Sequence, residues 1–189
     1  MRRTICLAAV ALLVAGPALA HPGHEASGFQ HPFSGLDHLL AMVGVGLWAA
    51  LLAGRRPVIA LAVPAAFLAM MAIGAAAGFA GIKLPLVEAA ILASVFVIGG
   101  LIIGAVRLPM AWAMAVVGLF AVFHGYAHAV EAPSTGAGGY ILGFLAATAL
   151  LQGVGLAIGW VVHRAVGDLG LRALGGVVIA AGAMVLIAH

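Results

Sequence analysis

Two stretches of this chain carry residues able to bind a metal ion. The first is His31-Pro-Phe-Ser-Gly-Leu-Asp37-His38-Leu-Leu-Ala-Met42, which leads into an apolar run ending near Ala53. The second is Phe123-His124-Gly-Tyr-Ala-His128-Ala-Val-Glu131, at the end of another apolar run and just before the polar loop 132–139. If Pro32 sits at the start of a helix, spacings of seven and four bring His31, His38 and Met42 to one face. The same periodicity places His124, His128 and Glu131 on a second stripe. Its histidine and carboxylate three residues apart match the pattern of di-metal carboxylate bundles. Imidazole suits nickel, copper, zinc and iron, and a carboxylate either binds the metal or orients the ring. The structural alternative, histidines bonding backbone carbonyls to hold helix ends, explains one such cluster better than two.

The elements that must position these groups follow from composition. The chain is 66% hydrophobic and 7% charged, with 27 glycines among 189 residues, which departs from a soluble domain and predicts an all-α, polytopic transmembrane bundle. Nucleic-acid binding finds no support in so few charges. Residues 1–20 read as a signal peptide, with Arg2 and Arg3 ahead of an apolar stretch and Ala18-Leu19-Ala20 as cleavage site; an uncleaved helix is the alternative. Residues 21–31 then form a periplasmic segment in which His21 and His24 are auxiliary capture groups. Residues 32–189 form one transmembrane domain of six spans, at about 32–53, 57–80, 86–106, 110–130, 140–162 and 173–188. The single cysteine, Cys6, falls in the removed segment, so no disulfide or thiolate ligand remains.

Cleavage would leave the mature N-terminus outside the cytoplasmic membrane, and the loop charges test that independently. Arg55, Arg56, Arg107, Arg164 and Arg172 then lie inside against Lys83 outside, the sense of the positive-inside rule. The chain is expected in a bacterial inner membrane with both termini periplasmic. Asp37 and His38 would lie about 8 to 9 Å below the outer end of the first span, and His124 about 10 Å below that of the fourth, at about 1.5 Å per residue. Glu88, at the outer start of the third span, is an auxiliary partner at nearly that level.

Elsewhere the sequence reads as scaffold. Gly74 with Gly78, Gly100 with Gly104, and Gly155 with Gly159 are small residues four apart that let helices approach. Gln152, one turn beyond Thr148, is read first as an interhelical hydrogen bond and second as a step in a permeation path. His163, at the inner face, is a solvated loop residue or a receiving point for a cation. No internal repeat of the kind carriers show is detectable, and no phosphate-binding glycine loop points to ATP.

His31-Pro32 with Gly35, Asp37-His38 and Ala41-Met42, together with His124-Gly125, Ala127-His128 and Glu131, resembles the HupE/UreJ family of membrane proteins. The signal peptide, the His-Pro-Gly-His start and the span count extend that resemblance over essentially the whole chain. It implies a secondary permease for nickel, with cobalt as second substrate, linked to hydrogenase or urease supply and not an enzyme. The family motif falls on His31, Asp37, His38, His124, His128 and Glu131. Zinc and copper remain open as cargo, because the motif does not name the metal. Two alternatives stay open on the residues alone: an intramembrane zinc hydrolase using the same ligands, and a haem protein with two axial histidines.

Overall fold

In hydrocarbon a backbone has no water to bond, so an apolar run of spanning length satisfies its own amides by coiling into a helix. The computed structural model describes residues 28–54, 56–133 and 137–188. The helices are α1 (His31–Ser34), α2 (Leu36–Ala53), α3 (Pro57–Phe79), α4 (Val87–Ile103), α5 (Met110–Val130), α6 (Ala137–Val166) and α7 (Asp168–Ala188), with no strand among the described residues. Five of them, α2, α3, α5, α6 and α7, are long and apolar enough to cross a membrane, whereas the equally apolar α4 has 17 residues. The chain is a multi-pass membrane protein. The expected signal peptide, His21 and His24 lie outside the described residues.

Two boundaries differ from the sequence expectation for local reasons. The first span does not start at Pro32: Gly35 is extended, with φ −99° and ψ 115°, so His31 and Pro32 belong to a separate turn, α1. The helical spacing that joined His31 to His38 therefore does not apply. At the other end, α7 begins at Asp168 rather than near 173, because Gly167 takes a left-handed φ of 68° and breaks the chain just before it.

α2 is the axis of the bundle. It packs against α3, α4, α6 and α7, and 78% of its residues are buried, as expected for a helix that is apolar on every side. Around it the most extensive pairings are α3 with α5, α2 with α6 and α4 with α7. Glycine makes two of these seams. A Cβ on Gly155 would collide with the Val43 carbonyl oxygen of α2, and one on Gly125 would collide with the Met71 carbonyl oxygen of α3. Gly74 and Gly78 likewise face α5, but the expected pair Gly100 and Gly104 does not pack between helices: Gly100 faces open space, while Gly99 and Gly175 meet at the α4–α7 seam. Large apolar side chains such as Leu61, Trp112, Leu142 and Ile187 point outward, where lipid replaces water.

The two ends of the bundle are chemically unlike. At the end where α4 finishes and α7 begins, Arg107 Nη2 donates to both carboxylate oxygens of Asp168 at 2.8 Å, and the Arg172 Nε donates to the Ile103 carbonyl at 2.7 Å. Trp48, fully buried, donates its indole N–H to the Val106 carbonyl and ties the foot of α2 to this clamp. His163 belongs to α6 rather than to a loop, with its Nδ1 3.2 Å from Asp168. The opposite end holds His31, His38, His124 and His128.

If the seams are set by backbone contact, Gly125→Ala should destabilise the protein in detergent by an overpacking cost of about 1–3 kcal/mol and so lower its melting midpoint. Gly100→Ala, which meets nothing within 4 Å, should leave the midpoint unchanged or slightly raised. A thermal melt of the two purified variants checks both.

Candidate metal site

The residues predicted to form two separate stripes converge into one ladder of rings. Glu131, the C-cap of α5, receives the Nε2–H of His31 from α1 at 2.6 Å. The His31 ring lies 4.8 Å from that of His128, His128 lies 5.0 Å from His38, and His38 lies 4.9 Å from His124, each pair edge to face. The ladder therefore alternates between the turn before α2, α2 itself and α5. It also descends from a half-exposed carboxylate at Glu131 to the fully buried imidazole of His124. The groups are graded in depth rather than level.

Hydrogen bonding fixes which nitrogen of His38 and of His124 is committed. Asp37 Oδ1 lies 2.9 Å from His38 Nδ1 and 2.7 Å from the His38 backbone N–H, so the carboxylate accepts from both. His38 Nε2 is left buried without a partner. At the bottom of the ladder the single hydroxyl proton of Ser94 goes to the Ile91 carbonyl at 2.6 Å. The 3.1 Å contact between Ser94 Oγ and His124 Nε2 then requires the imidazole to donate. This leaves the lone pair of His124 Nδ1 facing the interior, again unpartnered. His128 has neither nitrogen bonded; it is held by stacking on Phe144 of α6, at 4.7 Å and 10°.

Carboxylate-to-imidazole bonds such as Asp37–His38 and Glu131–His31 recur behind metal-binding histidines, where they fix the tautomer and raise ligand basicity. At Glu131 the His31 N–H, outweighing partial burial, holds the carboxyl below the usual glutamate range. The pairing is therefore in force above the ordinary glutamate pKa and is lost as pH falls through the lowered value. Ligand types suit a first-row divalent cation, but the rings meet edge to face instead of aiming at a common point. Among the described residues no three His, Cys, Asp or Glu side chains are arranged to hold one metal ion as they stand.

An open cavity of about 720 Å³ leads to the ladder, lined by His31, Asp37, His38, Glu88 and Glu131 together with the end of α7. Three carboxylates and no lysine or arginine line it, so its field draws cations. Glu88 thus stands at the mouth. Met42, one turn below His38, is fully buried and accepts a hydrogen bond from the Thr148 hydroxyl at 3.3 Å instead of joining the rings. Sequence reasoning missed Ser94, Phe144 and also Phe67, whose ring lies 5.7 Å from His124. The signal for Ser94 was available, a lone hydroxyl in the apolar run of α4; nothing local distinguishes the two phenylalanines from ordinary core.

The family described as HupE / UreJ protein matches residues 8–185 of the chain. Protein HupE of Rhizobium leguminosarum bv. viciae is 44% identical over 191 residues, which cover 97% of this chain and 96% of that protein. No solved structure matches.

The Ser94 assignment is open to nitrogen-15 NMR of selectively labelled histidine. His124 should carry its proton on Nε2 in the native protein and shift toward the Nδ1-protonated tautomer in Ser94→Ala, whereas an unchanged tautomer contradicts the assignment.

Proposed function

Because this chain belongs to the HupE/UreJ family, we propose that it is a secondary permease that takes up a divalent transition metal, nickel first and cobalt second, through the histidine ladder. The observation that carries this reading is the set of buried imidazole nitrogens on His38, His124 and His128 that no group among the described residues satisfies. His38 lines the carboxylate-bearing cavity, and His124 and His128 pack against its ring. A cation entering that cavity meets Asp37, Glu88 and Glu131 together with His31 and His38. His31, Asp37, His38, His124, His128 and Glu131 are the residues assigned to the route, with His21 and His24 as capture groups ahead of it.

In this reading the histidine-bearing end faces outward and the Arg107–Asp168 clamp faces the cytoplasm, the orientation that the arginine distribution favours. The ion sheds water as it enters and is held by rings whose far sides are anchored on Asp37, Ser94 and Glu131. The separation of the rings supports transit by successive small ligand sets over storage in a closed cage, since conduction needs sites weak enough to leave. A negative-inside membrane potential drives a divalent cation inward without ATP. Supply of metal to hydrogenase or urease maturation is the downstream use that the family resemblance suggests.

The test is uptake of radioactive nickel by cells expressing the native chain or His128→Ala at matched membrane abundance, with cobalt, zinc and copper as competitors. Native uptake should exceed the empty vector and fall by at least about tenfold in the variant, with cobalt the strongest competitor. Native cells that take up no more than the vector control contradict the permease.

A further inference from the structure

Beyond the ladder, a strongly polar side chain midway across the bundle has no hydrogen-bond partner among the described residues. Gln152, midway along α6, is 1% exposed, and neither its Oε1 nor its Nε2 meets a hydrogen-bonding group. The interhelical hydrogen bond expected from the sequence is not formed. An amide left bare in hydrocarbon is costly, and a helix seam that merely needed filling would be better served by leucine.

The surroundings of Gln152 continue the line of the ladder. α2 and α6 lie side by side, with the Val43 carbonyl against Gly155 and the Gln152 carbonyl against Gly46, so little side-chain bulk separates them. One helical turn below His38 on α2 is Met42, and one turn before Gln152 on α6 is Thr148. These two are fully buried and joined by the hydroxyl-to-sulfur bond at 3.3 Å, which leaves the Thr148 oxygen lone pairs free. From the other side comes α3, where Pro64 lies inside the helix and has no N–H to give the Ala60 carbonyl. Ala60, Pro64 and Gln152 line one groove of about 290 Å³. Gln152 and Ala60 thus share a groove between α3 and α6, and the Thr148 hydroxyl and Met42 sulfur lie about one helical turn nearer the histidines at the α2–α6 seam.

We propose that Gln152, with Thr148 and Met42 one turn nearer the histidines, forms a second cation station within the membrane, through which the metal passes from the ladder toward the arginine-bearing end. The station rests on the uptake reading above and extends it past the histidines. Its donors are all neutral. They replace part of the hydration shell of a divalent ion but bind it more weakly than imidazole backed by carboxylate, so the ion is handed on rather than held. The order of ligands along the route is then carboxylate, imidazole, and neutral oxygen with sulfur.

The test measures two quantities on the same preparations, equilibrium nickel binding to the purified full chain and the initial rate of nickel entry into proteoliposomes enclosing a metal-responsive dye. Gln152→Leu keeps side-chain bulk and removes both polar atoms. It should bind nickel within about twofold of the native protein, while its entry rate falls by about tenfold, the loss of one ligand worth of affinity at the station. Entry at the native rate overturns the station, and so does a loss of nickel binding in folded Gln152→Leu, because the residue would then be shaping the ladder. Gln152→Glu supplies the test if the leucine variant does not fold. A carboxylate there should trap one more equivalent of nickel than the native chain holds, and an unchanged stoichiometry overturns the proposal. Native protein that admits no nickel brings down the uptake reading and this station with it, a result distinct from a failure confined to Gln152→Leu.

Discussion

An imidazole nitrogen removed from water must find a proton donor, a proton acceptor or a cation, and inside a membrane no solvent fills the gap. Here one nitrogen each of His38 and His124, and both of His128, are buried with none of these supplied by the described residues. The bundle bears that expense while tying the other nitrogen of His38 and of His124 firmly, through Asp37 and Ser94. Lone pairs held in place and left bare are what a strongly hydrated first-row dication can take in exchange for its water. The account of the molecule depends on that imbalance.

The scaffold is arranged to hold the rings close without bonding them to each other. α2 runs buried through the middle, so His38 can be approached from α5 by His124 and His128, and His124 is met in turn from α4 by Ser94. Backbone contact at Gly125 brings α5 against α3, and Gly155 brings α6 against α2, which sets Phe144 under the His128 ring. The clamp of Arg107, Asp168 and Arg172 fixes the opposite end. With the far end tied by this clamp and the near end filled with rings, the first part of the route proposed for the metal is shaped by packing and not by loop closure.

Much of this was legible in the sequence because hydropathy and residue type are strong signals in a membrane chain. The helical bundle, the pairing of the Asp37-His38 motif with the His124-to-Glu131 motif, and their common end of the bundle all follow from apolar run lengths and the order of the spans. The route by which His31 joins the cluster was not legible. Helical periodicity placed it above His38, whereas the break at Gly35 lets it swing to His128 and Glu131. Gln152 misled in the opposite direction: its type promised a hydrogen bond, but the partner had to come from another helix and none is placed there. Which helix lies at the axis was equally hidden, since nearly every span is apolar all round and only packing selects α2.

The most direct measurement is nickel K-edge X-ray absorption on the purified protein loaded with nickel and washed free of excess. The account predicts saturable binding with a shell of nitrogen and oxygen and the outer-shell scattering of two or more imidazoles, reduced in His38→Ala. A spectrum of oxygen ligands alone, or the absence of saturable binding, would contradict the claim that the bare histidine nitrogens are a metal site.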